Sequence, residues 1–339
     1  MNAAQRRNGG RILWPASALL LLAFPWQSAW AAEVSGSLLL ELGAIFVGVI
    51  TPVYTLVAVG YLFGRRLGLQ AQTLSRYAYY ILVPAFVFKV MSTADMEARL
   101  AAQMVGYILV VHVTVALAAF LLARALKRPA QMVGAYVVIA VFGNVGNFGL
   151  PLIEFRLGPE ALIPATVYFL AVIVIAFVIS VAAASWHRGG GLHAMLSVIR
   201  TPALVALVPA LAFNLTDVTP PLWLGRSTDL LGSAMVPTML VTLGVQLSAA
   251  QRIRLEPDVF LATGVRLLGA PVLAMLLAAP FALTETVRAA GILQASMPTA
   301  VLAVLIALEH KLLADFVTTA VLFSTLASVV TLTLLMAVI

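Results

Sequence analysis

The sequence predicts an all-α polytopic membrane protein, with ten transmembrane helices arranged as two inverted five-helix repeats. Three observations predict it. First, 63% of the residues are hydrophobic and only 10% are charged, giving a mean hydropathy of +1.07. A water-soluble domain is about half apolar and about a quarter charged. Second, ten apolar runs follow residue 33, each able to cross about 30 Å of hydrocarbon at about 1.5 Å per residue. Third, three proline-containing dipeptides in the first half have counterparts in the second half, in the same order.

Residues 1–32 read as a signal peptide. Arg6, Arg7 and Arg11 form a basic start, Ile12 to Pro25 an apolar core, and Ala29-Trp30-Ala31 a small-x-small cleavage pattern. A retained first helix is the competing reading. The ten runs lie near 38–63, 73–92, 100–123, 131–153, 161–186, 197–215, 229–248, 258–282, 286–308 and 315–339. The first repeat is assigned to 33–190 and the second to 191–339. Every second loop is basic: Arg65, Arg66 and Arg76; Arg124, Lys127 and Arg128; Arg188 and Arg200; Arg252 and Arg254; Lys311. The alternate loops hold Asp95, Glu97, Glu154, Glu160, Asp217, Asp229 and Glu285. The positive-inside rule puts the basic set in the cytoplasm of a bacterial inner-membrane protein, with both mature termini outside. The net charge of +7 is therefore a topology signal, not a nucleic-acid footprint. The chain has no cysteine, which excludes disulfides, thiol catalysis and thiolate metal sites.

The repeat is carried by prolines. Thr51-Pro52 pairs with Thr201-Pro202, Val83-Pro84 with Val236-Pro237, and Leu150-Pro151 with Met297-Pro298. The first two prolines are 32 residues apart in one half and 35 in the other; the next two are 67 and 61 apart. Five spans per half is an odd number, so the halves insert with opposite orientation. Interrupted helices at matching places in such halves are the best sequence pointer to a binding site near the membrane midplane.

The fourth run carries the most informative stretch, Val141 to Leu152, reading VFGNVGNFGLPL. Gly143, Gly146 and Gly149 recur every three residues and drift around one side of a helix. Asn144 and Asn147 share the adjacent side. Pro151 lacks an N–H and restrains the residue before it. The stretch is expected to pack closely, present two amides and break. Free backbone groups at membrane depth survive only where they are buried in protein or line a wet cavity.

These residues resemble the auxin efflux carrier family, which includes plant PIN proteins and bacterial carriers such as malonate transporters. The resemblance rests on GNVGNFGLPL at 143–152, SMPTAVLAVLIALEH at 296–310 and TLGVQLS at 242–248. VPAFVF at 83–88 and TPVYTLVAVGYLFGRR in the first run also fit, so the likeness spans about 38–339. It implies that helices four and nine are broken and cross each other, that substrate binds beside the crossing, and that one domain moves against another like an elevator. Asn144 matches the asparagine near substrate in the plant members. The chain lacks their long cytoplasmic loop: only Trp186 to Ile199 follows the fifth run. It also has Ala303 where they carry a second proline, which argues against indole acetate as substrate.

The expected activity is that of a carrier for a small organic anion, a carboxylate, bound by amides and by the partial positive charge of helix N-termini at the breaks. The expected substrate contacts are Asn144, Asn147, Gln294 and Thr299, with Gly146, Gly149, Pro151 and Pro298 shaping the crossover. For the asparagines the alternative is interhelical bonding; for Thr299 and its neighbour Ser296, bonding to a carbonyl one turn back. Lys89 is a lesser candidate that snorkelling explains as well, and Arg266 carries the same two readings. His112 is a lesser candidate too, with proton relay set against a simple hydrogen bond. Glu41 reads as interfacial. HExxH, GxSxG and glycine-rich phosphate loops are missing from the sequence, so no enzyme, cofactor or metal is expected. The partners expected are the anion, the lipid bilayer and a second copy of the chain. Two alternatives stand beside the carrier: a sodium-coupled organic-acid symporter of the bile-acid type, which a sodium requirement would reveal, and a membrane anion receptor, which would bind without flux.

Overall fold

The computed structural model describes residue 40 and residues 42–185, 201–216, 218–249 and 254–339. They fall into two units, Met1–Ala44 and Ile45–Ile339. Of the first, only Leu40 and residues 42–44, all helical, are described. The helix packing and the candidate site belong to the second. The expected signal peptide (1–32), Glu41 and the loop Trp186 to Ile199 lie outside the described residues.

The described residues are helical, with no β-strand beyond one isolated bridge. The α-helices are α1 (Thr51–Arg66), α2 (Ala71–Tyr77), α3 (Val83–Ser92), α4 (Ala98–Ala125), α5 (Ala130–Val141), α6 (Leu150–Leu157), α7 (Leu162–Ser185), α8 (Pro202–Leu215), α9 (Leu222–Ala249), α10 (Pro257–Gly264), α11 (Ala270–Ala278), α12 (Glu285–Ala295), α13 (Leu302–Glu309) and α14 (Ala314–Met336). Six helical stretches are long and apolar enough to cross a membrane: Leu42–Arg66, Ala98–Ala125, Pro159–Ser180, Leu222–Ser248, Pro257–Phe281 and Ala314–Met336. The other apolar runs are shorter, more polar or interrupted. Gln72, Ser75, Arg76 and Lys89 dilute the stretch from α2 to α3, α8 has 14 residues, and the runs 130–157 and 285–309 are each broken in the middle.

Prolines leave a specific trace. Four π turns, Phe46–Ile50, Ala78–Leu82, Val145–Gly149 and Val265–Gly269, each precede a proline by two residues: Pro52, Pro84, Pro151 and Pro271. A proline cannot donate to the carbonyl four residues back, and its ring pushes that carbonyl away. The residue before each proline bonds instead to the carbonyl five back: Thr51 to Phe46, Val83 to Ala78, Leu150 to Val145 and Ala270 to Val265. The helix widens locally without ending.

The helices pack in two groups. In one, α1 lies on α9, and α3 on α8 and α9. Here Gly60 and Gly244 let two backbones touch: a Cβ on Gly60 would meet the carbonyl of Val241, and one on Gly244 the carbonyl of Val57. Small residues permit this approach, the main route to tight helix contact in lipid. Asn214 Nδ2 donates to the Ala94 carbonyl (2.8 Å), and the Phe88 and Phe213 rings meet edge-on. In the other group, α4 packs on α5, α7 and α11, with α10, α12 and α14 against them. Tyr107 Oη donates to the Ala274 carbonyl (3.0 Å), and Asp258 accepts from Arg128 Nε (2.9 Å) and Tyr136 Oη (2.5 Å). The groups meet where α9 passes the 145–149 turn, where α3 meets α7, and where Tyr54 Oη donates to the Thr325 carbonyl (2.7 Å).

Candidate functional site

The two interrupted runs meet at their gaps. α5 ends at Val141, and Phe142 to Asn144 are unwound before the 145–149 turn. α12 ends at Ala295, and residues 296–301 are unwound before α13. The gaps pair as a short antiparallel bridge between Gly143 and Thr299. Asn144 N–H donates to the Pro298 carbonyl and Ala300 N–H to the Phe142 carbonyl, both at 2.7 Å. The break in the first run therefore lies ahead of Pro151, which sits in the first turn of α6. Pro298 lies inside the second gap.

The glycines of the first run admit three different neighbours. A Cβ on Gly143 would meet the Arg266 guanidinium; on Gly146 it would lie 2.9 Å from Phe169 Cε2; on Gly149 it would meet Gln294 Oε1. Close approach of partners explains all three without an unusual backbone angle.

Beside the crossing is a cavity of about 680 Å³. The crossing contributes Phe142 to Asn147 and Ala300 to Leu302; α7 contributes Phe169, Val172 and Ile173; α9 contributes Met239, Thr242 and Gln246. Ala71, Gln72, Ser75, Arg76 and Tyr79 line the end next to the basic α1–α2 loop. Among the described residues no carboxylate lines it, and Arg76 is its only cationic wall residue.

Asn144 and Asn147 both face this cavity. Asn144 is buried and Asn147 half-buried. Asn144 holds the N-cap position of the 145–149 turn, where an asparagine side chain commonly caps the backbone; here it makes no capping bond. Among the described residues, neither side-chain amide has a hydrogen-bond partner. The segments beginning at Val145 and Leu302 both start at the cavity wall. A helix start leaves its first N–H groups unpaired and carries partial positive charge.

The other expected contacts lie elsewhere. Thr299 is fully buried: its Oγ1 donates to the Ile139 carbonyl (3.1 Å) and its N–H to Ser324 Oγ (3.1 Å). Gln294 is also fully buried. Its Nε2 donates to the Ala165 carbonyl (3.3 Å), and its Oε1 packs at Gly149 without a partner among the described residues. Neither lines the cavity: Thr299 satisfies a carbonyl at the end of α5, because a broken helix must satisfy its loose carbonyls from within the protein, and Gln294 ties α12 to α7. Lys89 forms an ion pair with Asp229 (2.6 Å) and donates to Ser233 Oγ (2.8 Å), tying α3 to α9 away from the cavity. His112 is buried in α4 with Nδ1 2.8 Å from the Ile108 carbonyl and its ring 5.8 Å from that of Tyr168. Arg266 does not snorkel; it is 1% exposed.

Sequence reasoning passed over Thr242, Gln246, Ser75 and Arg76. Gln246 Nε2 donates to Ser75 Oγ (3.1 Å), bridging α9 to α2 across the cavity floor, while its Oε1 has no partner among the described residues. A glutamine within the otherwise apolar TLGVQLS was the available signal.

Comparison with known proteins gives a membrane transport family. The family described as "Membrane transport protein" matches residues 45–187 and 191–336. An "Uncharacterized transporter" of Methanothermobacter thermautotrophicus is 27% identical over 298 residues, covering 86% of this chain and 98% of the relative. A protein of Rhizobium meliloti named "Putative malonate transporter" is 26% identical over 301 residues, covering 84% and 93%.

Proposed function

Since the chain belongs to the auxin efflux carrier family of membrane transport proteins, we propose that it carries a small organic anion, a carboxylate, across the cytoplasmic membrane. One observation carries the anion reading: two amides without partners among the described residues face a cavity whose described wall holds an arginine and no carboxylate. An anion accepts hydrogen bonds from amide N–H groups, and bonds to a charged acceptor are roughly twice as strong as neutral ones. The helix starts at Val145 and Leu302 add donors and partial positive charge to the same wall.

The packing supports an elevator-like mechanism. The cavity lies along the seam between the two helix groups: α2, α3 and α9 supply one wall, the crossing and α7 the other. A substrate held on the crossing would travel with the second group as it slides past the first. The cavity reaches the first turns of α2 and Arg76, in the basic stretch that the positive-inside rule assigns to the cytoplasm, so the conformation reads as inward-open. The ten-span, inverted-repeat reading draws support from the two gaps in corresponding runs, from the paired prolines, and from the two matched stretches 45–187 and 191–336.

The test is uptake by purified protein in proteoliposomes. Radiolabelled malonate is the first probe, followed by a panel of mono- and dicarboxylates. Saturable uptake of one or more carboxylates, competed by unlabelled carboxylate, is expected. Binding without flux would replace the carrier with a receptor, and absence of both would reject the anion site.

A further inference from the structure

Arg266 is the largest fully buried side chain described. It sits in the π turn between α10 and α11, with its guanidinium behind the crossing. Nε donates to the Met297 carbonyl (2.6 Å) and Nη1 to the Ala140 carbonyl (3.0 Å), so it holds both gaps at once. Nη2 is buried with no partner among the described residues. That nitrogen occupies the place where a Cβ of Gly143 would stand, and Gly143 lines the cavity. Arg266 takes no part in the ion pairs of Lys89 with Asp229 and of Arg128 with Asp258. Among the described residues its hydrogen bonds go to carbonyls and none to a carboxylate.

A guanidinium keeps its charge at neutral pH. Burying one without a counter-ion costs several kcal/mol, of which carbonyl bonds recover part. A side chain needed only as a clamp on two carbonyls could be neutral. We propose that Arg266 makes the site select for negative charge: the carboxylate bound at Gly143 and Asn144 is its missing counter-charge, and the glycine is there so that the guanidinium can come close. This rests on the carboxylate-carrier reading above. Arg266 is then a positioning and charge-selecting residue behind the wall, while Asn144 makes the direct contact.

The test compares carboxylates with their neutral amide isosteres, which keep shape and hydrogen-bonding groups but lose the charge. Binding of malonate, malonamide, benzoate and benzamide to the detergent-purified full chain is measured by calorimetry. Wild type is expected to bind at least one carboxylate about tenfold or more tighter than its amide. Arg266→Gln should lower that ratio several-fold, with little change for the amide, and Arg266→Lys should keep more of it, because charge and not shape is being read. A clamp without an electrostatic role would lower thermal stability and leave the ratio unchanged. An unchanged ratio in Arg266→Gln overturns the proposal. So does a wild-type ratio near one, which needs no variant and decides the matter even if Arg266→Gln does not fold. Wild type that binds none of the carboxylates would bring down the carrier reading itself, a separate and recognisable failure.

Discussion

Asn144→Ala separates binding from folding at the crossing. The Asn144 side chain makes no hydrogen bond among the described residues. The bond that holds the crossing, Asn144 N–H to the Pro298 carbonyl, belongs to the backbone and survives the substitution. Truncation therefore removes no intramolecular hydrogen bond, and the melting temperature should stay close to wild type. A bound carboxylate, by contrast, loses a charge-assisted donor. That loss is about 1.5–3 kcal/mol, or roughly ten- to a hundredfold in Kd. Asn144→Asp should be worse, since it sets a carboxylate against a carboxylate unless the new group takes up a proton. Calorimetric titration with the carboxylate that wild type binds best gives Kd, and a thermal melt of the same preparation gives stability. A well-folded Asn144→Ala protein with wild-type Kd refutes the reasoning. So does a protein whose melting temperature falls while Kd holds, because the amide would then be packing and not ligand.

Lys89→Ala should bind within about twofold of wild type and lose at most about 1 kcal/mol of stability, since its partner Asp229 is well exposed and exposed pairs contribute little; a Kd shift like that of Asn144→Ala would move the site towards α3. Gly244→Ala should destabilise by about 1–3 kcal/mol or more, because the new methyl meets the Val57 carbonyl and the amide of Tyr61, backbone atoms that cannot rotate away. Gly225→Ala, on the same helix with open space around it, is the control, and equal melting temperatures for the two variants would refute the close α1–α9 contact. Single cysteines at Leu126 and Glu160 label without background in this cysteine-free chain. Leu126→Cys should react with an impermeant maleimide only from the cytoplasmic side and Glu160→Cys only from outside, and labelling of both from one side would sink the assignment of the run between them as a crossing segment.

The membrane class was legible because composition alone requires it, and the gaps were half legible because glycine, asparagine and proline crowd into one apolar run. Their position was not. Pro151 looked like the breaking residue, yet it produces only a π turn, while the chain unwinds at Phe142 to Asn144. What opens the helix there is a partner 154 residues away: Asn144 and Phe142 exchange backbone bonds with Pro298 and Ala300. Local propensity cannot report a tertiary pairing of that kind. Gln294 and Thr299 lie off the cavity for a related reason. A polar side chain in an apolar run announces that something polar must be satisfied, but substrate and a loose carbonyl make the same demand on sequence. Ser75 and Gln246 were missed because each sits near the end of its helix, where polar residues are ordinary. Only the fold brings them together over 171 residues of chain.

The crossing also bears on the anion reading proposed above. The last four carbonyls of α5 would be natural cation ligands, yet all four are occupied. Val138 accepts from Phe142 N–H (3.2 Å), Ile139 from Thr299 Oγ1, Ala140 from Arg266 Nη1, and Val141 from Gly143 N–H (3.2 Å). In the second gap the Met297 carbonyl accepts from Arg266 and the Pro298 carbonyl from Asn144. On the cavity side the side-chain amides of Asn144 and Asn147 have no partner among the described residues. A broken helix in lipid exposes both acceptors and donors, and either could have been left for a ligand. Here Thr299 and Arg266 occupy the carbonyls of Ile139, Ala140 and Met297, so the same side chains that let the break persist also support the anion reading proposed above.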